Sequence, residues 1–209
     1  MTNPVSPFRI LVVCTGNVCR SPQAERLLAA EFARRGLADA VEVSSAGTAA
    51  LVGEPMDAEA AAQTIGYGGN PSGHVARRLD AAMVEDADLV LTMELAHRAA
   101  AVRLVPRASR YAFTLPEFAR LLADLRDSGE AEPGDASLAP ASRLRSLVPE
   151  VAARRGLALP VEAESDEVPD PFGRPTEAHA RTASQVMTAV TTVADALIDL
   201  GGLSASRPQ

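Results

Sequence analysis

Cys14 and Arg20 stand six residues apart in FRILVVCTGNVCRSPQAERLLAAEFAR, residues 8–34, and together they have the chemistry of a nucleophile and an anion clamp. A cysteine attacks as its thiolate, and a guanidinium offers a planar fork of donors to phosphate-like oxygens. The flanking residues say how the two are held. Residues 10–13 are apolar and read as a buried strand that ends at Cys14. Beyond Arg20, Ser21 and Pro22 suit the N-cap and first position of a helix, and Ala24, Leu27, Leu28 and Phe32 follow at helical spacing. The intervening loop is therefore curled over a helix N-terminus, where unpaired N–H groups and the helix dipole favour an anion. That setting favours a reactive Cys14 over the plainer reading of a small hydrophobe at a strand end.

The elements that must position this loop alternate along the chain. Residues 41–45 form a short strand ending in SSAGT, and Asp57 to Ile65 an alanine-rich helix. DADLVLTM, residues 86–93, contains a buried strand at 89–91, with helical spacing over 95–105. Residues 110–115 read as a fourth strand and 116–126 as an amphipathic helix. Residues 128–142 are polar and rich in Gly and Pro, the pattern of a mobile loop; 143–157 suit a helix broken at Pro149. An acidic connector, 160–169, leads into Asp170-Pro171-Phe172-Gly173, and a long helix over 176–200 is closed by Gly201 and Gly202. Strands alternating with helices predict an α/β fold with a mainly parallel sheet, whose ligands bind beyond the carboxyl ends of the strands, where Cys14 lies.

Bulk properties narrow the function. The 209 residues are read as one domain over 1–203, with an extended insertion at about 126–168 and a frayed tail at 204–209. A formal net charge of −7 argues against nucleic-acid or anionic-membrane partners. Two cysteines, no apolar stretch of transmembrane length and no export signal predict a reducing, cytoplasmic setting. No Cys or His spacing suits a metal, and no cofactor is expected. His74, after a Ser-Gly turn, reads as a structural hydrogen-bonder near the loop. His97 and His179 read as solvated, as do Arg77-Arg78 and Arg154-Arg155. Cys19 suits either packing under the loop or a reversible disulfide with Cys14.

CTGNVCRSPQAE, residues 14–25, resembles the signature loop of low-molecular-weight protein tyrosine phosphatases. SSAGT, the GH-x-AR stretch around His74 and Arg77, DLVLTM and the Asp-Pro at 170–171 resemble later segments of that family in the same order. The resemblance covers the chain to about residue 104 and resumes over about 168–200. It implies a three-layer fold, a twisted four-stranded parallel sheet flanked by helices, acting without metal on protein phosphotyrosine and opposing a cognate tyrosine kinase. By the same resemblance, Cys14 is the nucleophile, Arg20 holds phosphoryl oxygens and Asp170 is the general acid. Thr15, Gly16, Asn17, Val18, Cys19, Ser21 and Phe172 contact the substrate, and Ser44, Ser45 and His74 support the loop. Asn17 braces the loop by bonding Ser44 or Ser45, and Ser21 donates to the thiolate.

Three departures from the family pattern stand out. Leu51 or Val52 occupies the neighbourhood of an aromatic wall, Phe172-Gly173 replaces a pair of tyrosines, and residues 110–169 exceed the usual connection. That extension suits a lid, a partner surface or a plain insertion. Glu162, Glu164, Asp166 and Glu167, if close to Asp170, disfavour its ionisation. Two rival functions share these residues: an arsenate reductase that hands arsenic to an external thiol, and a binding module that holds phosphoproteins without turnover.

Overall fold

The computed structural model describes residues 6–131, 135–158 and 162–203, so the tail read as frayed lies outside the described residues. Four strands, β1 (Phe8–Cys14), β2 (Val41–Gly47), β3 (Leu89–Thr92) and β4 (Ala112–Thr114), form one parallel sheet in the order β2-β1-β3-β4. Seven helices accompany them among the described residues: α1 (Arg20–Arg34), α2 (Ala58–Gly66), α3 (Ala81–Asp86), α4 (Leu95–Leu104), α5 (Leu115–Ser128), α6 (Pro140–Ala153) and α7 (Thr176–Leu200). The expected three-layer α/β architecture is present.

Period-two alternation divides the strands between two cores. Phe8, Ile10, Val12 and Cys14 of β1 join Leu89, Leu91 and Phe113 in a cluster with the apolar faces of α1, α5, α6 and α7. Leu11, Val13, Val90 and Ala112 pack on the other face with Val84 of α3 and Ala101 of α4. Covering both faces is what makes these strands read as unbroken apolar runs. The parallel register sets Cys14 opposite Gly47 and Val13 opposite Thr92. Three strand ends therefore meet where the 14–20 loop begins. Among the described residues, no helix is long and apolar enough to cross a membrane.

Several elements differ from the sequence reading. α1 starts at Arg20 with Cys19 as its N-cap and no side-chain cap bond. The Gln23 N–H already reaches the Cys19 carbonyl at 3.1 Å, which places Ser21 inside the first turn. β4 is three residues long because Arg110 belongs to a 3-10 turn and Leu115 opens α5, which Thr114 and Glu117 cap reciprocally. Short α3, capped by Asp80, carries too few residues for a periodicity to show. α6 begins inside the stretch read as a mobile loop and runs unbroken through Pro149. Burial of Leu144, Leu147, Val148 and Val151 on its apolar face holds the helix despite the missing N–H.

α6 also decides what the long extension does. Arg145 donates to Asp88 at 2.9 Å and to the Ser6 carbonyl at 2.8 Å, while Arg155 donates to the carbonyls of Ser109 at 3.0 Å and Ala112 at 2.6 Å. These partners lie at the N-terminal ends of the strands, away from Cys14. Residues 140–155 thus buttress the amino ends of the strands, and α6 forms no lid over the loop. Arg154 and Arg155 are engaged rather than solvated: Arg154 pairs with Asp124, and Arg155 pairs with Glu117 and stacks on the Phe113 ring at 3.9 Å.

Pro149 is exposed, so its ring packs against little and its cost is mainly the lost backbone bond. Pro149→Ala is expected to raise unfolding stability by about 1–2 kcal/mol, less than the full helix-interior penalty because proline also restricts the unfolded chain. Urea denaturation checks this; an unchanged or lowered midpoint contradicts the account of α6.

Candidate active site

The loop is laced outward at every carbonyl from Cys14 to Val18. Cys14, Thr15 and Gly16 accept from the N–H groups of Thr48, Ala49 and Leu51 at 2.9, 3.0 and 3.0 Å. The Asn17 carbonyl lies 2.7 Å from His74 Nε2, and the Val18 carbonyl accepts from the Asp57 N–H at 2.9 Å. With five successive carbonyls tied to outside partners, the loop amides are left on its inner side, where the Asn17 N–H meets Cys14 Sγ at 3.3 Å. His74 is the structural hydrogen-bonder expected of it.

Asn17 holds this shape. Its φ of +56° is in the left-handed region, where asparagine is tolerated. Its side-chain amide donates to Ser45 Oγ at 2.8 Å and to Ser21 Oγ at 3.0 Å, and its Oδ1 accepts from the Arg77 N–H at 2.9 Å. Ser45, not Ser44, is the brace: neighbouring strand residues face opposite sides, and Ser44 lines a groove with Arg9, Glu42 and Met83. Ser21 Oγ lies 2.9 Å from Cys14 Sγ and, already accepting from Asn17, is set to donate to the sulfur. Arg77 also donates from Nε to the Ser45 carbonyl at 2.8 Å, so it is part of this brace. Gly47 has no room for a side chain, since a Cβ there would lie 2.4 Å from the Thr15 carbonyl oxygen.

Arg20 is the deepest charge, 1% exposed. Nη1 donates to Glu94 and to the Val168 carbonyl, the latter at 2.9 Å; Nη2 reaches Thr15 Oγ1 at 3.5 Å and Asp170 Oδ2 at 2.8 Å. Nε is buried with no hydrogen-bond partner among the described residues. Glu94 and Val168 were not foreseen from the sequence, although Glu94 follows directly on the β3 segment that points at the loop. Glu94 is the N-cap of α4 yet makes no cap bond, and Glu167 instead accepts from the Leu95 N–H at 3.0 Å. Asp166 forms a two-point pair with Arg120 at 2.7 and 3.2 Å. Two of the connector's acids, Asp166 and Glu167, thus have donors of their own.

The cleft at the loop holds about 150 Å³ and is lined by Cys14, Thr15, Gly16, Val18, Cys19, Arg20, Ala49, Leu51, Asp170 and Phe172. Asp170 is 44% exposed and accepts from the Phe172 N–H at 3.2 Å, while Phe172 is 54% exposed at the rim. Leu51 stands where the aromatic wall was missed. The two histidines read as solvated are buried. His97 Nε2 lies 2.9 Å from Thr15 Oγ1 behind the loop. Burial holds its imidazole below the ordinary 6.5, with Arg20 pushing the same way and Glu94, Asp170 and Glu167 opposing. Burial, then the nearby Asp57 and Cys14, push the Cys19 thiol well up, so it stays protonated beside Cys14. No linear spacing announces a metal, yet Cys19, Asp57 and His179 converge.

A parallel α/β sheet whose carboxyl edge carries a buried cysteine and a buried guanidinium in one loop has the arrangement in which an oxyanion can be held. The sequence model of the low molecular weight phosphotyrosine protein phosphatases matches residues 9–130, more than half of the chain, and the chain belongs to that family. It is 45% identical over 97 residues to the low molecular weight protein-tyrosine-phosphatase Etp of Escherichia coli strain K12, covering 46% of this chain and 62% of that protein. The chain thus spans about three-fifths of the length of the curated relatives it matches. Among solved structures, a low molecular weight protein tyrosine phosphatase from T. tengcongensis superposes with a TM-score of 0.63 at 28% identity, covering 90% of this chain and 98% of that one. The YwlE arginine phosphatase from Geobacillus stearothermophilus superposes at 0.61 and 26% identity, covering 90% and 92%.

Two outcomes follow. Asn17→Ala removes three buried hydrogen bonds and strains the left-handed backbone, and is expected to cost about 2–4 kcal/mol; Asn17→Gly relieves the backbone and recovers roughly 1 kcal/mol. Equal losses in the two variants, measured by chemical denaturation, contradict the backbone role. For His97, the unfolded chain takes up a proton near its ordinary 6.5 while the folded protein resists it. Its contribution is therefore complete above about pH 6.5 and declines as pH falls through that value toward the lower folded-state pKa. The stability gap between wild type and His97→Gln should narrow from pH 7.5 to 5.5; a constant gap contradicts this.

Proposed function

We propose that the chain hydrolyses phosphomonoesters, with protein phosphotyrosine as its substrate, through a cysteinyl-phosphate intermediate. The observation that carries this reading is that one cleft gathers Cys14, the Arg20 fork and Asp170. The inner amides of residues 15–20 and the free Arg20 Nε suit the three equatorial oxygens of a phosphoryl group. Such a group competes with Asp170 for Arg20 Nη2 and displaces its exposed carboxyl toward the leaving oxygen.

Cys14 Sγ then attacks phosphorus in line as the bond to the phenolic oxygen breaks, and the Asp170 carboxyl protonates that oxygen. In the second step Asp170, now a carboxylate, takes a proton from water as its oxygen attacks phosphorus. The S–P bond breaks, inorganic phosphate leaves, and the returning thiolate is received by the Ser21 hydroxyl and the Asn17 N–H. Both steps are complete with these side chains and water. Thr15, Gly16, Val18 and Cys19 supply the loop backbone; Ser45 and His74 hold its shape.

Phe172 and Leu51 flank the cleft mouth and give a phenyl ring one aromatic and one aliphatic face. The relatives' names, protein-tyrosine-phosphatases, support the same substrate. A phosphotyrosine protein made by a cognate tyrosine kinase, in the cytoplasm, completes the reading, with residues 1–203 acting as one catalytic unit. The likeness to an arginine phosphatase makes a phosphoarginine peptide the substrate to compare.

Phosphate release from an aryl phosphate and a phosphotyrosine peptide should vanish in Cys14→Ser and fall about 10²- to 10⁴-fold in Asp170→Asn. Phe172→Ala should raise KM for the aryl ester more than it lowers kcat. Turnover that survives Cys14→Ser overturns the mechanism. Faster turnover of the phosphoarginine peptide, or thiol-dependent arsenate reduction exceeding ester hydrolysis, overturns the substrate. Tight phosphopeptide binding without turnover leaves a binding module.

A further inference from the structure

Behind the loop, Cys19, Asp57 and His179 meet from three separate elements: the N-caps of α1 and α2 and the first turn of α7. Their ligand atoms all lie within 4.8 Å of one another. Cys19 is 3% exposed and His179 4%. His179 Nδ1 is buried with no hydrogen-bond partner among the described residues, and it faces Asp57 Oδ1 at 3.7 Å, beyond hydrogen-bond reach. The carboxylate is fixed by two cap bonds, both to Oδ1, from the N–H groups of Glu59 at 3.1 Å and Ala60 at 3.2 Å. An imidazole nitrogen shut away from water and left unpartnered opposite a carboxylate and a sulfur is a donor set without an acceptor of its electrons.

We propose that Cys19, Asp57 and His179 form a binding site for a borderline-soft divalent cation of the zinc class. Sulfur, imidazole nitrogen and carboxylate oxygen select zinc over magnesium or calcium, which take oxygen ligands. Zinc's bond lengths put tetrahedral ligand atoms roughly 3.3–3.7 Å apart, so the 3.7 Å already present between Asp57 and His179 needs little change, and Cys19, within 4.8 Å of both, moves by at most about an ångström. On binding, the Cys19 thiol loses its proton to bulk water as the S–Zn bond forms. His179 keeps its proton on Nε2 and gives the Nδ1 lone pair. Thiolate and carboxylate together balance the two charges of the cation, so the buried site is neutral when filled. Water takes the fourth position.

The site is separate from the proposed chemistry, in which Cys14 and not Cys19 reacts, and it stands whether or not that reading holds. What it joins is mechanically specific: the residue before Arg20 becomes tied to α7, the helix that follows the Asp170–Phe172 segment. A filled site therefore pins the relation between the anion loop and the strand of chain bearing Asp170.

Full-length Cys14→Ser, which removes the competing thiol, should bind one Co²⁺ per chain with a thiolate-to-cobalt charge-transfer band in the near ultraviolet, and Zn²⁺ should displace it. Adding Cys19→Ala should abolish the band. Adding His179→Gln, or Asp57→Asn, which keeps the α2 cap, should weaken Zn²⁺ at least tenfold in a competition titration and remove the rise in Tm that Zn²⁺ gives. Should Cys19→Ala not fold, the His179→Gln titration decides. Absence of the band in folded Cys14→Ser, its survival in Cys19→Ala, or unchanged Zn²⁺ affinity in His179→Gln overturns the site.

Discussion

A guanidinium buried to 1% exposure sets terms for much of the molecule. Removing a partner from a buried charge typically costs about 3–5 kcal/mol, so Arg20 has to be answered from several sides. Glu94 comes from the end of β3, Thr15 from the loop, Val168 and Asp170 from the returning chain just before α7. Residues up to 150 positions from Arg20 converge on its side chain, and two of them, Thr15 and Asp170, also line the cleft. The guanidinium is thus a structural keystone, and in the proposed chemistry the same group clamps the anion. Glu94 shows how far this reaches: with its carboxylate drawn to Arg20, the start of α4 is capped by Glu167 from another part of the chain.

The second constraint is backbone direction. A loop that presents N–H groups inward must find partners for its carbonyls outside, and here the segment after β2 supplies four of the five, through Thr48, Ala49, Leu51 and Asp57. This explains why Gly47 tolerates no side chain and why residues 47–57, which carry no proposed chemistry apart from Leu51 and Asp57, follow the loop so closely. Asn17 then converts the arrangement from a set of backbone bonds into a rigid object, linking α1, β2 and the Arg77 segment through one side chain. The hydroxyl aimed at Cys14 is held by the same asparagine, so the surroundings of the Cys14 sulfur and the shape of the loop are coupled mechanically.

The sequence made the local parts legible and left the distant ones hidden. A strand, a glycine-containing loop and a helix within 27 residues carry strong period-two and period-3.6 signals, and these located the loop that holds Cys14 and Arg20 and the sheet it rises from. Asp170 needed the family resemblance, because an Asp-Pro in an acidic connector has no spacing relation to Cys14; its proximity arises only when α7 docks on α1. The same is true of Glu94, His97 and His179. A histidine on a helix of mixed polarity looks solvated until tertiary contacts cover it, and both of these are covered by the loop and its neighbours. Pro149 misled for a related reason: its local penalty is real, but the buried face of α6 outweighs it. Ser44 and Ser45 were indistinguishable without the phase of β2.

The polarity of the sheet lets residues 140–155 add structure at the end away from the cleft. In a parallel sheet the carboxyl ends of the strands make the ligand site, and the amino ends are free to accept added structure. The described part of the extension uses those amino ends: Arg145 ties α6 to Asp88 and the entry to β1, and Arg155 ties its far end to the entry to β4. Its apolar residues extend the core shared by α5 and α7. Only where it returns, at Glu167 and Val168, does it meet the site, and there the Val168 backbone bonds both Arg20 and Met93. The described residues between α5 and α7 thus enlarge the frame that holds Asp170 opposite Arg20 while leaving the mouth of the cleft to Leu51 and Phe172.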